Sequence, residues 1–160
     1  MEIRKLKDKD VYGMLEWMHY EESKAIFEKD FSKYQREDVL IFINSKNDTE
    51  IHYACVDDDD NYLGTISLKN IDKDNYNAEL AISFLKKAQG TGAASFALKY
   101  ILDYGFNVLN LNKIYLNVLS TNYRAKKFYL KNGFKKEGCF VSHIKKGNKY
   151  VDLEWYAIYR

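Results

Sequence analysis

The chain has 160 residues, 46% hydrophobic and 30% charged, with a formal net charge of +2. That length and balance fit a single globular domain over residues 1–160 and exclude a disordered or collagen-like chain. No apolar run approaches the ~20 residues of a membrane helix, and the opening MEIRKLKDKD has no signal-peptide core, so a cytoplasmic protein without membrane contact is expected.

In chain order, Ile3–Leu6 reads as a short strand. A helix is predicted through DKDVYGMLEWMHYEESK, with Val11, Met14, Leu15 and Met18 on one face and Asp8 or Asp10 as cap. A second helix is expected over Arg36–Ser45. Ile51–Val56 and Tyr62–Ile71 alternate as strands around the turn DDDDN, and Ala78–Phe84 continues as a third. A helix from about Thr91 to Leu109 is followed by the strand Lys113–Leu119. NYRAKKFYLKNGF then reads as a helix capped by Asn122 or Thr121 and stopped by Gly133. Two alternating strands joined by a KKGN turn close the chain. The order β-α-α-β-β-β-α-β-α-β-β implies an α/β or α+β fold built on one mixed sheet with helices on its faces.

Charge is unevenly spread. Residues 1–80 carry 11 Lys and Arg against 19 Asp and Glu, whereas residues 81–160 carry 14 against 4. An anionic partner for the second half and a cationic one for the first would match this, although two patches of solvated surface would look the same. The basic half carries no nucleic-acid recognition motif, so no nucleic-acid partner is expected. Cys55 and Cys139 make neither a disulfide framework nor a zinc pattern and read as reduced, partly buried thiols. Asp57–Asp60 lacks the spacing of a calcium loop, and His19, His52 and His143 have no ligand spacing, so no metal is expected.

The segment Lys86–Ser95, KKAQGTGAAS, lies where a strand becomes a helix. Gly90 and Gly92 allow a tight turn and a close backbone approach, and a helix start offers free N–H groups and a partial positive charge to an anion such as a pyrophosphate. Alone, G-x-G matches no complete phosphate motif and serves equally as a helix start.

Some thirty residues later comes Asn122-Tyr-Arg-Ala125-Lys-Lys-Phe-Tyr129-Leu-Lys-Asn-Gly133-Phe134. Together the two segments resemble the GNAT superfamily of acyl-CoA-dependent N-acetyltransferases. The family loop [RQ]-x-x-G-x-[GA] reads here Lys87-Ala-Gln-Gly90-Thr-Gly92. The family element N-x-x-A-x-x-x-Y-x-x-x-G-F is matched at Asn122, Ala125, Tyr129, Gly133 and Phe134. Lys87 replaces the usual Arg or Gln, and Phe84 stands where many members carry proline. The resemblance implies a mostly antiparallel GNAT-type sheet and transfer of an acetyl group from acetyl-CoA, as co-substrate, to a primary amine.

The same resemblance places backbone groups of Ile82, Ser83 and Phe84 along the pantetheine arm and the run Gln89, Gly90, Thr91, Gly92, Ala93 and Ala94 around the pyrophosphate. Lys86, Lys87, Lys126 and Lys127 become candidates for the 3′-phosphate, or are plain solvated charges. Asn122 becomes a partner for the pantetheine amides or a helix cap, or both. Tyr129 aligns with the tyrosine that protonates the departing thiolate; its other reading is sheet-covering bulk. Glu79, a carboxylate amid an apolar strand, is a candidate general base or an ordinary ion pair.

The resemblance also implies an amine-acceptor pocket lined by the first two helices and their connection, which here hold Trp17, His19, Tyr20, Glu21, Glu22, Phe27, Phe31 and Tyr34; their aromatic faces and carboxylates suit a cation. The chain also resembles the subgroup with ribosomal-protein N-terminal, spermidine and amino-sugar nucleotide acetyltransferases, whose last strands the tail IKKGNKYVDLEWYAI is similar to. That resemblance leaves a polyamine, an amino-sugar nucleotide and a protein N-terminus open, and the bulky aromatics of the N-terminal helices lean towards a small molecule. A degenerate acyl-CoA-binding sensor or interaction module is the alternative from another class. A homodimer through Trp155, Tyr156 and Tyr159 is a further expectation; sheet-face packing is its rival.

Overall fold

The computed structural model describes all residues, 1–160. Strands β1 (Glu2–Lys5), β2 (Ile51–Val56), β3 (Tyr62–Asp72), β4 (Asn77–Phe84), β5 (Lys113–Leu119), β6 (Lys135–Lys146) and β7 (Lys149–Tyr159) form one sheet in the order β1-β2-β3-β4-β5-β7-β6. Every neighbouring pair is antiparallel except β4 and β5, which run parallel. The helices are α1 (Val11–Met18), α2 (Ser23–Ile26), α3 (Arg36–Asn44), α4 (Ala93–Asp103) and α5 (Tyr123–Lys131). This is the mixed, mostly antiparallel sheet expected from the sequence. No helix is long and apolar enough to cross a membrane.

Alternation along β2 assigns the two faces. Ala54 and Val56 join a cluster with Val11, Met14, Trp17 and Met18 of α1 and Val39 of α3. Cys55 points the other way, into a larger cluster with Ala97, Leu98 and Ile101 of α4, Tyr129 of α5, and Ile66, Leu68 and Ile114 of the sheet. Ile66 and Ile114 are completely buried, and each such side chain is worth about 1.5–3 kcal/mol of transfer free energy.

The predicted first helix is too long. It ends at Met18, where the buried Ser23 hydroxyl donates to the Trp17 carbonyl and caps the helix end. The chain then turns before α2. At the other predicted long helix, α4 stops at Asp103 and Tyr104–Val108 continue as a π-helical turn. Cys55 is fully buried, which pushes its thiol up to about 11, whereas Cys139 is exposed, contrary to the expectation.

At the β1–α1 corner the Asp10 carboxylate, 1% exposed, accepts from Arg4 Nη1 and Nη2 at 2.8 and 2.9 Å and from the Lys7 N–H at 2.8 Å. In the acidic turn, Asp60 is engaged by Arg4, Lys7 and Lys9.

Candidate active site

The site begins where the sheet opens. The parallel pairing of β4 with β5 lasts only from Asn77↔Lys113 to Glu79↔Tyr115, after which the strands separate while each keeps its other neighbour. The Leu85 N–H donates to the Leu63 carbonyl at 2.9 Å. By the two-residue alternation of a strand, the amides of Ile82 and Phe84 then face the opening. Those of Ser83 face β3. Ser83 therefore borders the opening through its side chain, which differs from the backbone role expected for it.

Two cavities of about 390 Å³ each fill the opening. Ile82, Ser83, Asn122, Ala125 and Tyr129 line both. Phe84, Gln89, Ala94 and Arg124 belong to the first, and Glu79, Asn117 and Leu119 to the second.

Gly92 is the residue preceding α4 and has φ +87°; Gly90 has φ +77°. Both values are in the left-handed region that glycine occupies without strain. A Cβ at either would meet nothing within 4 Å, so this face of the turn is open. The Thr91 hydroxyl donates to the Ala88 carbonyl at 2.7 Å and accepts the Ala93 N–H at 3.3 Å. Thr91 and the buried Ala93 therefore brace the turn. The N–H groups of Gly90, Gly92 and Ala94 have no acceptor in the chain, and they converge on the dipole-positive end of an eleven-residue helix.

The four lysines named from sequence divide into two pairs. Lys87 and Lys127 are exposed and make no ion pair. Lys86 is held by both oxygens of Glu22 at 2.9 Å and lies 4.6 Å from the Tyr20 ring centre. Lys126 reaches the Ser120 carbonyl at 3.1 Å and Glu154 at 3.2 Å, an internal brace. Arg124, in the first turn of α5 and on the wall of the first cavity, was overlooked; its guanidinium has no partner in the chain. Its place between Asn122 and Ala125 was the available signal.

Asn122 caps α5, its Oδ1 accepting the Ala125 N–H at 3.2 Å, and its Nδ2 lies 3.4 Å from the Ile26 carbonyl. Tyr129 packs edge-on against Phe128 and Phe134, with ring centres 5.4 and 5.5 Å away. It is 8% exposed, yet its hydroxyl has no partner in the chain and is not among the fully covered polar atoms. The hydroxyl thus faces the cavities. Burial drives its ionisation far above the ordinary phenol range, so the proton stays in place at neutral pH.

Glu79 sits deeper. Its Oε1 accepts from Lys69 Nζ at 3.1 Å and Asn117 Nδ2 at 3.3 Å, and its Oε2 accepts from Asn70 Nδ2 at 2.8 Å. The carboxylate is paired on the sheet face and also borders the second cavity.

A third cavity, about 270 Å³, joins the second through Lys29, Phe31, Lys69, Ala81 and Ser83. Its outer wall is aromatic: Trp17 lies 5.3 Å from both Phe27 and Phe31, and Phe31 lies 5.5 Å from Tyr34. Lys29 Nζ stands 4.9 Å from the Tyr34 ring centre, and Asp38 adds a carboxylate. Of the expected acceptor residues, Trp17, Phe31 and Tyr34 line this chamber and Phe27 packs on them. Tyr20 and Glu22 line the first cavity, His19 bonds the Tyr34 carbonyl at 2.8 Å, and Glu21 is exposed and lines none of the three. The inner wall brings His52, Ser67 and Lys69 together, which the sequence did not reveal.

A parallel strand pair that parts beside a glycine-lined helix start, with an unpartnered phenol in the gap, is the arrangement that the resemblance implies for a transferase using acyl-CoA thioesters. A model of the acetyltransferase (GNAT) domain matches residues 1–135, and the chain belongs to that family. It is 30% identical over 128 residues, 80% of this chain and 74% of the other, to a spermidine N(1)-acetyltransferase of Vibrio cholerae. A crystal structure of a Vibrio cholerae spermidine N-acetyltransferase with CoA and spermine superimposes with TM-score 0.89 at 25% identity, covering 99% of this chain and 94% of that one. A dodecameric structure of the Vibrio enzyme has TM-score 0.80 at 25% identity, covering 99% and 92%. The protein is an acetyl-CoA-dependent N-acetyltransferase that passes the acetyl group to an amine. The open cradle at Gly90 and Gly92, with its free N–H groups, fits the pyrophosphate of that co-substrate.

Proposed function

We propose that the chain is one catalytic domain over residues 1–160 and that it acetylates a primary amine of a polyamine such as spermidine. The observation carrying this reading is the chamber next to the strand opening: aromatic rings and Asp38 suit an alkylammonium, and one cation, Lys29, already stands over the Tyr34 ring there, while the second, Lys69, is paired with Glu79. The relationship to spermidine acetyltransferases supports the same class.

The chemistry follows from the residues. The thioester arm lies along the free amides of Ile82 and Phe84, and one of these N–H groups polarises the acetyl carbonyl as the amine attacks. Gly90, Gly92 and Ala94 receive the pyrophosphate at the start of α4, with Gln89 at the rim. Lys87, Lys127 and Arg124 supply free positive charge for the remaining phosphate. Asn122 holds α5 in place so that Tyr129 presents its hydroxyl to the sulfur. When the carbon–sulfur bond breaks, Tyr129 gives its proton to the thiolate and is reprotonated from solvent. Glu79 orients the amine and shapes the field beside it. The relationship to an enzyme with a dodecameric form supports a self-associated state; Trp155 and Tyr156 are occupied with packing inside the chain, whereas Tyr159 of β7 and Phe140 and Val141 of β6 are exposed.

The test is thiol release from acetyl-CoA with spermidine, an amino-sugar nucleotide and short peptides bearing free N-termini. Spermidine is expected to give the highest kcat/KM. Turnover confined to the sugar nucleotide or the peptides would overturn the assignment of the acceptor.

A further inference from the structure

An alkylammonium of pKa ~10 must lose a proton before its nitrogen can attack. The two oxygens of Glu79 already accept from Lys69, Asn70 and Asn117. The acceptor chamber offers a different way out. On its inner wall Ser67 of β3 stands directly opposite His52 of β2. Ser67 Oγ is 2.8 Å from His52 Nδ1, and His52 Nε2 is 3.3 Å from Glu50 Oε2. Exposure rises along the row, from 4% for Ser67 to 12% for the His52 side chain and 30% for that of Glu50. The Phe42 ring, 4.4 Å from the imidazole, holds it in the row.

We propose that Ser67, His52 and Glu50 form a proton relay that carries the acceptor's ammonium proton from the chamber to the solvent edge. The inference rests on the assignment of this chamber to the amine. The polarity of the row is set by its ends. Glu50 is an acceptor only, so Nε2 carries the imidazole hydrogen and Nδ1 accepts from the Ser67 hydroxyl. In the transfer, the ammonium gives a proton to Ser67 Oγ as the Ser67 proton passes to Nδ1 and the Nε2 proton passes to Glu50. The nitrogen lone pair is released, one proton reaches Glu50 and then water, and no electrons change hands.

A relay of this kind needs a neutral ring at rest. Burial lowers the proton affinity of His52, Glu50 opposes that, and Lys69 on β3 adds to it. The other charges facing the chamber are Asp38 on α3 and Lys29 in the loop before it. His52 is thus neutral at pH 7 and becomes protonated, and blocked, below its ordinary value of 6.5.

The experiment measures kcat for acetyl transfer to spermidine from pH 5 to 9. His52→Gln should lower kcat on the order of 10²-fold at pH 7.5, leave KM for acetyl-CoA unchanged and abolish the acid limb. Ser67→Ala should match it, and the double variant should be no slower than either single one, because one chain is cut once. Imidazole added to His52→Ala should restore rate, which a purely structural loss would not permit. Wild-type kcat and limb in His52→Gln, or losses that multiply in the double variant, would overturn the relay. A wild-type enzyme silent with spermidine would instead overturn the acceptor assignment and the relay with it.

Discussion

Replacing Gly92 by alanine separates the two demands on that residue. Its φ of +87° is left-handed, and a new Cβ would meet nothing within 4 Å, so no clash contributes. The cost is backbone strain, about 1–2 kcal/mol for an L-residue held left-handed. With an unfolding entropy of about 2.1 cal/mol/K per residue, that loss lowers Tm by about 3–6 °C for a chain of this length. If the turn relaxes to escape the strain, the Gly92 N–H leaves its direction, and one hydrogen bond to a charged phosphate is lost. Such a bond is worth about 1.5–3 kcal/mol, so acetyl-CoA binding weakens roughly tenfold to a hundredfold. The assay pairs a thermal melt with calorimetric titration of acetyl-CoA. Gly138→Ala is the control: that position lies in β6, with no left-handed φ and nothing near its Cβ. It should be neutral or slightly stabilising. A Gly92→Ala variant indistinguishable from wild type in both Tm and Kd would refute the cradle.

Three further outcomes follow from the same geometry. Asp10→Asn leaves the Arg4 guanidinium, only 10% exposed, without its buried counter-charge; urea unfolding should show a loss of about 3 kcal/mol or more. Asp60 is held well below its ordinary value of 3.8 by Lys9 and then Arg4 and Lys7, so its stabilising contribution is complete above that pH and is lost as pH falls below it. Asp60→Asn should therefore flatten the acid limb of stability below pH 3.8, and high salt should mimic it because the pairs are partly exposed. Lys29→Ala vacates the Tyr34 and Phe31 faces; an exposed cation–π contact of about 0.5–1 kcal/mol implies a roughly two- to fivefold lower KM for spermidine, and an unchanged or raised KM would contradict the account of the chamber.

Period-two patterns were legible. β2 and β5 have the predicted bounds because one apolar face is unbroken along each. The glycine loop and the α5 motif were legible as local chemistry. The aromatic outer wall of the chamber was legible too, but its inner wall was not, and the reason is a register shift. Next to the turn Val56 pairs with Tyr62, but beyond the irregularity at Cys55 and Val56 the register moves by one, and His52 meets Ser67. Counting back from the turn would set His52 against Ile66 on the apolar side, and a one-residue slip exchanges the faces. The end of α1 was hidden for a similar reason: the cap that stops it comes from Ser23, beyond the helix, and the periodicity of Val11, Met14 and Met18 carries no trace of it. Glu79 was recognisable as an unusual carboxylate, but its three donors come from two strands, Lys69 and Asn70 of β3 and Asn117 of β5, and only the folded sheet assembles them.

The central claim is that Tyr129 delivers the proton to the departing thiolate, and Tyr129→Phe tests it most directly. The ring packing against Phe128 and Phe134 is preserved and a single hydroxyl is removed. Steady-state turnover with spermidine should fall on the order of 10²-fold while acetyl-CoA Kd stays at the wild-type value. Full kcat retained across pH 6 to 9 would contradict the assignment.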